Sequence, residues 1–149
     1  MAETLGSLID KLTIKKIRLS YLGNEGASVK IKLARKIVGG QIANLIDEID
    51  TFIESATKGK VLLREKKVKL YKNPPSELNI PDIKSIGKLT DLLMQINLNQ
   101  WQLEDQIRAS NITSKRVVNL KKLIDRSNRN RNDVIDRIDE LLEKCLRKS

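Results

Sequence analysis

Among its 149 residues the chain has no histidine, one cysteine, three prolines and only 3% aromatic side chains. Without histidine, the commonest general base, the side chain that titrates near neutrality and the usual zinc ligand are all missing. The lone thiol, Cys145, cannot close an internal disulfide and suits a reducing compartment. It falls on an apolar helical stripe and reads as packing rather than as a nucleophile. So few aromatics and prolines argue against a β-sandwich or barrel. No run of eighteen apolar residues occurs, so no membrane span is expected. The opening MAETLGSLIDKL carries acid early and lacks the basic-then-apolar order of a signal peptide, so the chain reads as cytoplasmic. A carboxylate-only Mg²⁺ or Ca²⁺ site stays open, but no EF-hand-like loop is visible, and neither a metal site nor a cofactor is expected. No catalytic motif stands out, and the reading leans away from an enzyme.

What is present is charge and helical periodicity. Hydrophobic residues make up 40% and charged residues 32%, with a net charge of +10. Apolar residues recur at three- and four-residue steps, which predicts amphipathic helices in one domain over 1–149. A first helix is expected from about Thr4 to Leu22, with Leu5, Leu8, Leu12, Lys15, Leu19 and Leu22 in its seam. Gly23-Asn24-Glu25-Gly26 is a stop and turn. A second helix is expected from about Ser28 to Ala56, with Ile31, Ala34, Val38, Ile42, Leu45, Ile49 and Phe52 inward and Gly59 ending it. Residues 60–84 break the pattern: Val68-x-Leu70 alternates, and Asn73-Pro74-Pro75 and Pro81 forbid a continuous helix. They read as an extended crossover packed on the helices. A third helix starts near Asp82 or Ser85 and carries Ile86, Leu89, Leu93, Ile96, Gln100, Leu103 and Ile107 inward. Ser114 is the expected N-cap of a fourth, with Leu120, Leu123, Ser127, Arg131, Val134, Ile138, Leu141 and Cys145 inward.

The two halves look alike. Leu5-Gly6-x-Leu8-x-Asp10-x-Leu12 returns as Ile86-Gly87-x-Leu89-x-Asp91-x-Leu93, and Leu45-Ile46-Asp47-Glu48-Ile49-Asp50 returns as Val134-Ile135-Asp136-Arg137-Ile138-Asp139. The second interval is the longer, so the second copy has the longer tip. The expected fold is all-α, a four-helix bundle of two duplicated αα-hairpins, with repeat 1 at about 4–59, the crossover at 60–84 and repeat 2 at about 85–149.

Aligning the copies exposes polar residues in the seam. Lys15 stands against Ile96, Gln100 against Leu19, Ser127 against Val38 and Arg131 against Ile42. A buried cation without a partner costs several kcal/mol, so something must answer Lys15 and Arg131. Asp10 and Asp91 lie one step away, and Lys15 can also snorkel outward. The alternatives are an anion or polyhydroxyl ligand in a mid-bundle cleft, or a homo-oligomer interface over the same face.

Trp101-Gln102-Leu103-Glu104-Asp105 with Asn97 one turn earlier, and Arg131-Asn132-Asp133-x-Ile135-x-x-Ile138-Asp139, resemble a family of small uncharacterised bacterial helical proteins. Leu8-Ile9-Asp10-Lys11-Leu12 and Lys69-Leu70-Tyr71 are similar to it too. That family carries a domain of unknown function and often lies in lipopolysaccharide or other glycan gene clusters. Its pattern reads N-x-x-x-W-H-x-E-D and Q-R-N-D; here Gln102 replaces the histidine and Asn130 the glutamine. The resemblance implies a bacterial protein tied to envelope glycan assembly, with no activity to carry over. Asn97, Trp101, Glu104, Asp105, Arg131, Asn132 and Lys15 form the candidate ligand set, since a tryptophan face with carboxylates and amides suits a sugar. The plainer alternative makes Trp101 core-edge packing and Glu104–Arg108 a surface pair.

Basic residues crowd both expected tips: Lys30, Lys32, Arg35 and Lys36 at the first, Lys115, Arg116, Lys121 and Lys122 at the second. With a long crossover at the far end, both tips fall at one end, opposite an acidic half. Such an end attracts anions: phosphate, sugar nucleotide, nucleic acid or an acidic surface. Neither tip carries Phe or Trp, so stacking on single strands has little support. Three readings stay open: a binding or assembly module that self-associates as a homo-oligomer, a small helical enzyme on an anionic or sugar substrate, and attachment to nucleic acid or an acidic surface through the tips.

Overall fold

The computed structural model describes residues 3–23, 28–64, 77–109 and 111–147. Among them are four α-helices, α1 (Leu5–Gly23), α2 (Val29–Thr57), α3 (Ile86–Ile107) and α4 (Ser114–Arg147), a short 3-10 helix (Ile80–Asp82), and no strand. None of these helices is long and apolar enough to cross a membrane.

Local chemistry sets the helix ends. At the start of α1, Thr4 Oγ1 accepts from the Ser7 N–H at 3.2 Å and the Thr4 N–H donates to Ser7 Oγ at 2.8 Å, a reciprocal cap. Ser28 Oγ accepts from the Ile31 N–H and Ser85 Oγ from the Lys88 N–H, as N-caps do. Gly59, at φ +68°, stops α2: its N–H donates to Ala56 O and that of Lys60 to Ser55 O, a Schellman pair. At α4 the cap lies one residue before the expected Ser114. Thr113 Oγ1 accepts from the Arg116 N–H at 3.2 Å, and Ser114 is already helical. In the crossover, Pro81 sits in the first turn of the 3-10 helix, behind left-handed Asn79. The turn expected at Asn24-Glu25-Gly26, the Val68-x-Leu70 alternation, Asn73-Pro74-Pro75 and Lys69-Leu70-Tyr71 lie outside the described residues.

α1 is the hub. It packs against α2, α3 and α4, while α3 packs along α4 and the 3-10 helix lies on α4. This explains a departure from the expected seam. Leu5 and Leu8 are buried, but so are Ile9, Asp10, Thr13 and Ile17, whereas Leu12, Lys15, Leu19 and Leu22 are only half-buried. A helix with neighbours on three sides buries two stripes, not one. On α4, Leu120, Ser127, Val134, Ile138 and Leu141 are buried as expected, but Leu123 and Cys145 are exposed. In their stead Arg137, Asp139 and Leu142 turn inward. The core joins Leu5, Leu8, Leu45, Phe52, Ile80, Leu89, Leu93, Val134, Ile138 and Leu141. Each such side chain contributes roughly 1.5–3 kcal/mol by leaving water.

Candidate functional site

The polar residues of the interior gather on the helices around α1. Asn97 on α3 is buried, and its Nδ2 donates to Asp10 Oδ1 at 2.9 Å and to Thr13 Oγ1 at 2.8 Å, both on α1. Thr13 Oγ1 in turn donates to Asp10 O at 2.8 Å. Arg131 reaches in from α4 with its Nε 3.9 Å from Asp10 Oδ1. Thus Asp10, one of the two carboxylates expected near Arg131, is the one that answers it. Asp91, the other, is exposed and accepts from Gln95 Nε2 at 3.0 Å. The Arg131 side chain is 29% exposed and that of Asp10 11%. Nε of Arg131 is itself buried and has no hydrogen-bond partner. At 3.9 Å it gains attraction from Asp10 without a hydrogen bond.

Other polar contacts also tie helix to helix. Ser127 Oγ on α4 donates to Gln100 Oε1 on α3 at 3.2 Å, so two of the seam substitutions meet one another. The Gly6 N–H at the start of α1 donates to Asp139 Oδ1 on α4 at 2.7 Å. There a Cβ would come 2.5 Å from Ile135 O, so glycine alone lets the helices approach. Buried Arg137 donates through Nε to Ile83 O at 3.0 Å and through Nη1 to Glu140 Oε1 at 2.7 Å, fixing the end of the crossover to α4. Arg64 and Arg147 both pair with Glu143.

The carboxyls of Glu140 and Glu3 both lie below the usual carboxylate value. Glu140 is lowered, first by the hydrogen bond from Lys144 and also by the charges of Arg137 and Lys144, against the opposing pull of burial. Glu3 is lowered chiefly by its hydrogen bond from Lys11.

The candidate ligand set therefore divides. Asn97 and Arg131 share the cluster with Asp10 and Thr13. Trp101 is half-buried and stacks on Tyr21, with ring centroids 5.3 Å apart and planes at 27°. Asp105 is exposed and pairs with Arg108 at 3.5 Å, in place of the expected Glu104–Arg108 pair. Glu104 is half-buried, Asn132 exposed on α4, and Lys15 half-buried on α1. At the tips Lys30, Lys32, Lys36, Lys115, Lys121 and Lys122 are exposed. Arg35 is used structurally: its guanidinium donates to Leu22 O and Gly23 O and closes the end of α1. Arg116 donates to Gln106 Oε1 at 2.8 Å.

Sequence reasoning missed Thr13, Arg137 and Asp139. The available signal was Gly6: a glycine early in an amphipathic helix marks close approach, and an acid on the facing helix is then the natural cap for the free N–H groups. Among the described residues, no group of three or more acids or thiols is placed to hold a metal ion. A cleft of 480 Å³ opens elsewhere, between α1 and the C-terminal half of α2. Leu8, Phe52 and Val61 line its apolar part and Glu3, Asp47 and Glu48 its acidic part.

Among the described residues the arrangement is all-helical, and interior polar groups bind the helices to each other. Residues 88–149, which span nearly all of α3 and the whole of α4, match a family described as "Protein of unknown function (DUF4254)". No curated protein and no solved structure matches the chain.

Proposed function

We propose that this chain is a non-catalytic helical assembly module: a four-helix bundle of two related hairpins that works by self-association and by binding. The observation that carries this reading is the Asp10–Thr13–Asn97–Arg131 cluster. Its hydrogen bonds run from helix to helix, and none of its four residues lines the 480 Å³ cleft between α1 and α2. Groups poised for catalysis converge instead on a pocket. The parallel course of the two hairpins is supported by the stacking of Tyr21 on Trp101, each toward the end of the first helix of its hairpin. A role in glycan assembly in a bacterial cytoplasm rests on the resemblance of the Trp101 and Arg131 segments. Light scattering on the purified protein tests self-association directly; a strictly monomeric chain would refute it.

A second reading is favoured by the buried, unpartnered Nε of Arg131. In it the exposed part of the guanidinium holds an anionic or polyhydroxyl ligand beside Asn97. A thermal-shift screen with inorganic phosphate and sugar nucleotides decides between them. Stabilisation by one of these ligands that Arg131→Met abolishes supports the second reading, and no shift with any supports the first.

A further inference from the structure

We propose that α2 pairs antiparallel with α2 of a second copy, the N-terminal half of each lying on the acidic cleft of the other; this rests on the self-association proposed above. The outer face of α2 begins as an apolar line: Val29, Leu33 and Ile37 follow at four-residue steps and are 84%, 57% and 53% exposed. One stripe of the helix continues this line through Gly40, Asn44, Asp47 and Thr51, the last three of which line the cleft. A single face thus offers apolar and basic groups at one end, and at the other a recess with apolar Phe52 and Val61 among its acids.

Charge fixes the partner. Lys30, Lys32 and Lys36 flank the apolar end, and Asp47, Asp50 and Glu54 flank the other, all exposed. A parallel pairing would set like charges together. An antiparallel pairing about a two-fold axis sets them in opposition, and the symmetry makes every contact twice. With Gly40 set against Asn44 of the second copy, Leu33 lies over Thr51, Lys30 faces Glu54, and Lys36 falls beside Asp47 and Asp50. The crossing point also accounts for Gly39-Gly40 in mid-helix. Each costs about 1 kcal/mol of helix stability relative to alanine. A Cβ at either would meet nothing within 4 Å, so their smallness serves nothing within the chain and fits a second backbone drawing close.

Sedimentation velocity is the test. The intact chain is expected to sediment as a dimer of twice 17.0 kDa. Lys36→Glu, and separately the pair Asp47→Lys with Asp50→Lys, should each weaken the dimer by at least about tenfold while circular dichroism stays unchanged. Mixing the two variants should restore a dimer, because each then meets its opposite charge twice. A wild-type dimer indifferent to these changes and to Leu33→Glu would overturn this face while leaving self-association standing. A wild-type monomer would overturn both.

Discussion

The side-chain amide of Asn97 spends both its hydrogens on α1, one on Asp10 at 2.9 Å and one on Thr13 at 2.8 Å. An asparagine so placed holds α3 to α1 in one register, because sliding either helix would strand a buried carboxylate. Asn97→Leu should therefore cost roughly 2–4 kcal/mol, despite adding apolar surface, since the buried Asp10 carboxylate and the Thr13 hydroxyl each lose the hydrogen bond they accept. Urea denaturation followed by circular dichroism reads this out. A neutral or stabilising result would show that the pairing is dispensable.

Gly6 and Gly87 stand in similar sequence segments, Leu5-Gly6-x-Leu8 and Ile86-Gly87-x-Leu89, yet they should respond oppositely to alanine. At Gly6 the new methyl meets Ile135 O at 2.5 Å and pushes α1 off Asp139. A loss of about 2–4 kcal/mol is expected for Gly6→Ala. At Gly87 the nearest atom is Ser85 Oγ at 3.7 Å, an ordinary contact. Gly87→Ala should be neutral or stabilise by up to about 1 kcal/mol through helix propensity. Thermal melts of the two variants compare the signs directly.

The cap of α4 separates two neighbouring hydroxyls. Thr113→Ala should cost about 1 kcal/mol, whereas Ser114→Ala should be close to neutral. Equal losses in denaturant midpoint would return the cap to Ser114.

Acid sensitivity should pass through Glu140. Its carboxyl is lowered in the folded chain, so its stabilising contribution is full above the unfolded value and is lost as pH falls through the folded one. Stability should drop between about pH 5 and about pH 3, and Glu140→Gln should flatten part of that drop. Urea midpoints at the two pH values measure it; an identical drop in the variant would place the acid response elsewhere.

Helix positions were readable because their signals are local. Ser28, Ser85 and Gly59 mark ends by capping and backbone chemistry alone, and the structure keeps all three. Apolar spacing also found Leu89, Leu93, Val134 and Ile138. What escaped depends on which helices are neighbours. The pairing of Asp10 with Arg131 is legible from the similarity of the Leu5–Leu12 and Ile86–Leu93 segments. Thr13, Asp139 and Arg137 become meaningful only once α1 is known to touch three helices. Lys15 shows the limit of seam reasoning: a long aliphatic stem can lie in an apolar stripe with its charge in water, and in the structure it is half-buried. In the sequence Asn97 is marked only by the segment that resembles the family of unknown function, and its role follows from the packing of α3 on α1.

That the interior polar cluster locks helices, rather than serving chemistry, is tested most directly by the unfolding free energy of Arg131→Met. A locking Arg131 neutralises Asp10 among buried groups, so its loss should destabilise the fold by roughly 1–3 kcal/mol. Unchanged or increased stability in the variant would contradict the account, for it would mean that the arginine is kept at a cost to folding.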